Sequence, residues 1–247
     1  GNKNIRLVKK VLDCSVDTIT LREQDSMAEL ESFGVKRPKI LLCSDPALVL
    51  TPSSKLDVDS YLKRHGLASN ERYLCFMLRT WQGFEDKAPA FAACADKAYE
   101  EYGMTPVFLS LNIFHDTAAA KKVTQYMKAP YHILDDWAEP ELLIGLLGRM
   151  DAVVSMRLHG LIFSSLSGVP LVGVSYDPKI GSFLKYLGAG SCMELSDVST
   201  DALNDAVKQA VQQLSNREEL LLKAQKLKDV ERKNIQEVAQ LLNLSQQ

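Results

Sequence analysis

The sequence predicts an α/β protein built on parallel sheet. Two observations carry that expectation. Short apolar runs of strand length alternate with helix-length segments along the chain. The runs are also apolar at nearly every position, the mark of strands covered on both faces.

Taken in order, residues 4–13 (NIRLVKKVLD) place Ile5, Val8 and Leu12 on one helical face. VDTITLR (16–22) is a short strand ending in a charged turn, and SMAELESFG (26–34) is a helix closed by Gly34. KILLCSDPAL (39–48) is a buried strand that runs into Asp45-Pro46, and the polar residues 51–60 suit an interdomain connection. A second series opens with the strand YLCFMLR (73–79). Helix 86–101, strand 105–111, helix 116–128, strand 131–134, helix 139–148 and strand 152–156 follow. Helix 160–167 comes next, stopped by Gly168 and Pro170, and then strand 170–175. Helix 181–187, a short strand near 192–195 and helix 201–214 complete the series. The last helix opens on Ser215-Asn216-Arg217-Glu218, a capping-box spelling, and is expected to reach about Leu244.

Such alternation implies right-handed βαβ units and a parallel sheet. The expected organisation is the C-terminal part of a first Rossmann-like domain plus linker over 1–60, a second Rossmann-like domain over 61–214 and a C-terminal helix over 215–247. The first 50 residues hold too few strands to cover both faces of a sheet, so the first domain is expected to be incomplete in this chain.

Composition excludes several classes. The 247 residues are 46% hydrophobic and 24% charged, ordinary for a globular protein. A net charge of -2 implies no broad basic surface, which argues against nucleic acid as a partner. There is no apolar run of membrane-spanning length and no apolar signal core in GNKNIRLVKK, so a cytoplasmic location is expected. The five cysteines lack CxxC spacing and are expected to be reduced, four of them in apolar or helical contexts. No HExxH, GxGxxG, GxxxxGK[ST] or GxSxG spelling occurs, which disfavours metal, P-loop and serine-nucleophile chemistry.

The informative stretch is Asp151–Lys179, DAVVSMRLHGLIFSSLSGVPLVGVSYDPK. Arg157 and His159 sit where strand 152–156 hands over to a helix, at the sheet edge where parallel sheets bind ligands. Free N–H groups and the dipole at a helix start favour an anion, by roughly 0.3–1 kcal/mol for the dipole. The competing reading is a structural arginine and a core histidine. Lys179 follows the next strand on the same edge; a solvated loop lysine is the alternative. Asp177 precedes Pro178 and is expected to cap helix 181–187, with orienting a base as the alternative. Arg22 ends the strand of the first domain, with a pair to Glu23 or Asp25 as its plain explanation. Arg79 ends strand 73–79 and is a weaker candidate. His115 precedes Asp116, the expected cap of helix 116–128, and His65 and His132 have no partner pattern.

SMRLHGLIFSSLSGVPLVGVSYDPKIGSFLKYLG, with ITLREQDS at 19–26 and CSDPALVL at 43–50, resembles the polysaccharide pyruvyl transferases, in particular bacterial members acting on cell-wall polymers. The resemblance implies two Rossmann-like domains of the B-type glycosyltransferase kind with the active site in the interdomain cleft. It implies phosphoenolpyruvate as donor and a ketal-linked pyruvate on a sugar as product. It assigns His159 as catalytic residue, Arg22, Arg157 and Lys179 to phosphoenolpyruvate binding, and no metal. The chain departs from the family pattern in lacking an initial strand and a Gly-Gly-Gly stretch, which puts its independent activity in question.

The implied chemistry suits the residues. Phosphoenolpyruvate presents a carboxylate and a phosphate, which need cationic pockets, and the enol carbon needs a proton that a histidine can give near neutral pH. No cofactor is demanded. The acceptor is a sugar of a cell-wall or surface polysaccharide precursor, and a lipid-linked saccharide would bring the protein to the inner face of the membrane through peripheral contact. Two other readings stay open: a glycosyltransferase or sugar-nucleotide enzyme of the same fold, and a non-catalytic donor-binding fragment.

Overall fold

The computed structural model describes residues 2–242. It divides into two compact units, residues 1–49 with 225–247, and residues 50–224.

The smaller unit holds helix α1 (Asn2–Ser15), strand β1 (Thr18–Leu21), helix α2 (Gln24–Ser32) and strand β2 (Lys39–Leu42), followed by a 3-10 turn at Pro46–Val49. β1 and β2 pair in parallel, Thr18 against Lys39 through Leu21 against Leu42. No residue of either strand is fully buried. Its polar anchors are therefore informative. Ser44, just past β2, donates its backbone N–H to the buried Glu231 at 3.0 Å and its hydroxyl to the Leu227 carbonyl. Thr18 and Lys39 both donate to Glu237, holding that carboxyl below its ordinary value, chiefly through the lysine.

The first helix of the larger unit is α3 (Lys55–Arg64), so residues 55–60 of the stretch 51–60 expected to be a connection are helical. The reason is local: the Ser54 side chain caps it by accepting from the Asp57 N–H. Strands β3 (Arg72–Met77), β4 (Met104–Leu109), β5 (His132–Leu134), β6 (Ala152–Ser155), β7 (Leu171–Ser175) and β8 (Ser191–Glu194) form one six-stranded sheet in the order β5-β4-β3-β6-β7-β8. Every pairing is parallel. This is the doubly wound order in which the chain starts in the middle, runs to one edge, and returns to build the other half. The reversal lies between β3 and β6, and ligands of such sheets bind at the carboxyl ends beside it.

Helices α4 (Phe84–Tyr102), α5 (Ile113–Thr124) and α9 (Thr200–Gln212) pack together on one face. Helices α6 (Pro140–Leu147), α7 (Leu158–Ser165) and α8 (Pro178–Leu187) join α3 on the other. Leu74, Phe76, Phe91, Phe108 and Val154 are essentially inaccessible, and the Phe76 and Phe108 rings stack at 5.3 Å. Each such side chain stabilises the fold by roughly 1.5–3 kcal/mol.

Three boundaries differ from expectation for physical reasons. α7 begins at Leu158, two residues early, because the Ser155 hydroxyl donates to the Arg157 carbonyl at 2.8 Å and closes the turn at the strand end. α8 begins at Pro178, whose fixed φ suits the first helical position. The last helix, α10 (Arg217–Leu241), starts without the capping box: Ser215 lies in the 3-10 turn Gln213–Asn216 and its hydroxyl meets Asn216 Oδ1 at 3.4 Å. Its expected end at Leu244 lies outside the described residues. All five cysteines are free thiols; Cys43, Cys75 and Cys94 are buried, whereas Cys14 and Cys192 are exposed. Burial pushes the Cys94 thiol up to about 12, which keeps it protonated and inert.

Candidate functional site

β6 and β7 are neighbours, paired Val153 with Leu171 through Ser155 with Gly173, and they end in the same way. Each closes with a buried serine, Ser155 or Ser175, whose hydroxyl donates to the carbonyl two residues on, at 2.8 Å to Arg157 and 3.0 Å to Asp177. Those two acceptors occupy the N-cap positions of α7 and α8. The next residue but one, the second of each helix, is His159 in α7 and Lys179 in α8. Two adjacent strands thus deliver two helix starts, each with a basic side chain in its first turn. Both helix dipoles favour negative charge there.

The two starts are not alike. Asp177 caps α8, accepting from the Lys179 N–H at 3.0 Å, as the sequence led one to expect. α7 has Arg157 at its N-cap and no side-chain cap. An arginine cannot accept a hydrogen bond, so the N–H groups opening α7 receive nothing from the residue that would ordinarily serve them. Gly160 lets this helix lie close on the sheet: a Cβ there would meet Met77 Sδ at 2.5 Å and Ser155 Oγ at 2.6 Å.

Arg157 is itself held. Its Nε donates to Asp116 Oδ1 and Oδ2 at 3.0 and 3.1 Å, and its Nη2 also meets Oδ1. Asp116 is buried, its side chain 1% exposed against 17% for Arg157. The expectation that Asp116 caps α5 is corrected: Asn112 is the cap, accepting from the His115 N–H. Asp116 sits one turn in and accepts from the N–H groups of Leu111 and Asn112 through Oδ2, freeing Oδ1 for the arginine. Of the guanidinium nitrogens, Nη1 is the one that Asp116 does not take. Both the structural and the binding readings of Arg157 therefore have a physical basis.

His159 is exposed, and its ring lies 5.9 Å from that of Phe163. Lys179 is half-buried, with Nζ 3.5 Å from Asp177 Oδ2 and 5.6 Å from the Tyr176 ring centroid. Beside it stands a group the sequence weighed lightly. The Arg79 guanidinium lies 5.1 Å from the Trp81 ring and 5.0 Å from the Tyr176 ring, and Nη1 donates to the Tyr176 hydroxyl at 2.7 Å. Its Nε is buried and has no hydrogen-bond partner among the described residues.

In the smaller unit, Arg22 follows β1 and donates to Asp45 Oδ2 at 2.8 Å. Asp45 is 7% exposed and follows β2, so this pair ties the ends of the two strands together. The arginine's plain explanation is thus an ion pair with Asp45, not with Glu23, which accepts instead from the Ser26 hydroxyl. His115 is exposed in the first turn of α5, next in the chain to Asp116, and His132 lies at the start of β5. His65 stacks on Tyr61 at 4.1 Å and meets Asp136 at 3.3 Å. Among the described residues no group of three or more histidine, cysteine or carboxylate side chains could hold a metal ion, and no helix is long and apolar enough to cross a membrane.

Among solved structures, the chain is similar to a glycosyltransferase from Rickettsia africae (TM-score 0.66, 13% identity, 97% of this chain and 68% of that one). It is similar also to HepE of Anabaena, solved in complex with UDP-glucose (TM-score 0.62, 14% identity, 97% and 68%). A family 9 glycosyl transferase from Veillonella parvula gives a TM-score of 0.52 at 16% identity, over 78% of this chain and 60% of that one. At these identities the likeness shows the fold, that of B-type glycosyltransferases, and the chain spans about two-thirds or less of the length of these structures. No curated protein matches the sequence significantly. The model of the family polysaccharide pyruvyl transferase matches residues 1–178, which takes in Arg22, Arg157 and His159 and stops one residue before Lys179. On that match this chain belongs to the polysaccharide pyruvyl transferase family.

Proposed function

We propose that the chain moves the pyruvyl group of phosphoenolpyruvate onto a sugar of a cell-wall or surface polysaccharide precursor, forming a ketal. The observation that supports this most is the paired helix starts on β6 and β7, which offer His159 and Lys179 to one dianionic ligand at the sheet's carboxyl edge. Lys179 neutralises one anionic group as a point charge, and Arg157 Nη1 with the uncapped N–H groups of α7 receives the other. Arg22 is assigned to the donor by the family pattern, with Asp45 fixing its guanidinium.

His159 gives a proton to the methylene carbon of the enol, and the cationic carbon formed is attacked by a sugar hydroxyl. Inorganic phosphate leaves as the bond between that carbon and the phosphate oxygen breaks, a second hydroxyl of the same sugar closes the ketal ring, and of the two hydroxyl protons one restores the imidazolium and the other departs with the phosphate. An exposed histidine at the second position of a helix is accessible for such a transfer. A lipid-linked acceptor would bring the protein to the inner face of the membrane through peripheral contact.

The test is His159→Ala. Transfer of pyruvate is expected to be lost while phosphoenolpyruvate still raises the melting temperature; full turnover by the variant refutes the assignment. Lys179→Ala is expected to weaken donor binding, and an unchanged dissociation constant counts against it. The complex of the similar HepE with UDP-glucose motivates a second reading, a sugar-nucleotide enzyme. Thermal stabilisation by UDP-glucose and not by phosphoenolpyruvate would favour it.

A further inference from the structure

We infer that the pocket at the carboxyl ends of β3, β7 and β8 is a saccharide subsite that takes a neutral sugar ring. Its volume is about 320 Å³, and Trp81, Gln82, Asp86, Ser175, Tyr176 and Glu194 line it. That is the lower end of the size range of ligand pockets, roughly 300–1,000 Å³, and suits a small ligand.

Three properties point to sugar. Trp81 is 47% exposed, although an indole gains most from burial, and it is held rigidly: its ring lies 4.6 Å from Tyr176, and the Arg79 guanidinium packs on both rings. A fixed indole presents a negative π face, and the C–H face of a pyranose carries the complementary partial positive charge. Beside that platform stand the Asp86 and Glu194 carboxylates, which accept from neighbouring hydroxyls, and the Gln82 amide, which both donates and accepts.

The same carboxylates disfavour an anionic ring. Lys87, the cation in the lining, is occupied, donating to the carbonyls of Ser196 and Val198 at 2.6 and 3.0 Å. The pocket and the candidate donor residues share a wall, because Tyr176 lies against both the Trp81 ring and Lys179 Nζ. On the proposed function, this assigns the pocket to the acceptor sugar and the Lys179 edge to phosphoenolpyruvate, and it rests on that reading for the name acceptor.

The experiment uses the full chain on an array of neutral, amino and uronic-acid oligosaccharides, followed by fluorescence titration with the best neutral binder. A Trp137→Phe background leaves Trp81 as the reporting indole, since the chain has two tryptophans. Neutral sugars are expected to bind and to shift Trp81 emission, and Trp81→Ala, compared with the unaltered chain by titration calorimetry, is expected to weaken binding about tenfold, the equivalent of about 1.4 kcal/mol. Asp86→Asn with Glu194→Gln, both at exposed positions, is expected to weaken it while leaving phosphoenolpyruvate stabilisation intact.

Absence of sugar binding, undiminished binding by Trp81→Ala, preference for uronic acids, or displacement of the sugar by UDP each overturns the inference. Sugar binding without any phosphoenolpyruvate stabilisation would leave the subsite standing and remove the donor reading; the reverse result would do the opposite.

Discussion

Asp116→Asn is the substitution with the largest expected consequence per atom changed. The carboxylate accepts from two backbone N–H groups on one oxygen and from Arg157 through both, and it is 1% exposed. Asparagine keeps an oxygen for the backbone but replaces the other with an NH2 facing a guanidinium that is itself 17% exposed. Removing one partner of a buried pair leaves an uncompensated charge, at a cost of about 3–5 kcal/mol. The retained acceptor puts this variant near 3 kcal/mol. For a unit of this size each kcal/mol moves the melting temperature by roughly 2–4 °C, so a fall of about 6–12 °C is expected by calorimetry at neutral pH. A fall of less than about 2 °C would refute the account of the pair as a buried, mutually dependent contact. Asp116→Asn with Arg157→Met removes both charges together, keeps an acceptor for the Leu111 and Asn112 N–H groups, and is expected to regain most of the loss, because the penalty lies in the orphaned charge more than in the missing attraction.

Two more outcomes follow from packing and titration. Gly160→Ala forces a methyl group to within 2.5 Å of Met77 Sδ and 2.6 Å of Ser155 Oγ, so α7 or these two buried side chains must shift, and a loss of about 1–3 kcal/mol is expected by urea unfolding, against a gain if the helix were loosely seated. Tyr73, 2% exposed, has its phenol pushed up from 10.0 to about 12 by burial, then by its hydrogen bond to Glu71. Because the folded state holds the neutral form more tightly, that contribution to stability is whole below about pH 10 and is lost as pH rises toward 12. Tyr73→Phe is expected to lessen the alkaline fall in melting temperature over that range; an identical slope would contradict the assignment.

The strands and helices were legible because their signals are local. A strand apolar throughout, such as YLCFM, and a helix closed by glycine, such as that ending at Gly103, announce themselves within a dozen residues. His159 and Lys179 were legible for the same reason, each lying within four residues of its strand's end. Asp116 was not, because it lies 41 residues from Arg157 and meets it only once β3 is inserted between β4 and β6. A usable hint existed: with Asn112 available as the cap, an aspartate four residues later was free for another partner. The repeated spelling of SMRLH and SYDPK was another missed signal. Both place serine at the strand end and a base four residues on, and the structure gives both the same turn.

That repetition bears on how the site acquires its selectivity. Two identical turns would make two equivalent anion pockets, each a helix start plus a cation. The sequence breaks the equivalence most directly at the N-cap, arginine in the first turn and aspartate in the second. Asp177 caps its own helix and lies 3.5 Å from Lys179, so the α8 start is already partly neutralised and suits a weakly held or departing group. Arg157 cannot cap α7 and instead spends two of its nitrogens on Asp116, so the α7 start gains no carboxylate from its own N-cap and keeps Nη1 clear of Asp116. The stronger anion pocket is thus expected at α7, beside His159. For a donor with two anionic groups, such asymmetry fixes orientation. On the proposed function, the group gripped at α7 would set the distance from the histidine to the enol carbon, and the group at α8 would be the one released. An Asp177→Asn variant would make the two starts more alike by adding positive potential at α8. On this argument it should tighten binding of inorganic phosphate to the protein, measured by competition with the donor, more than it tightens binding of pyruvate. Equal changes for both anions would show that the asymmetry does not orient the ligand.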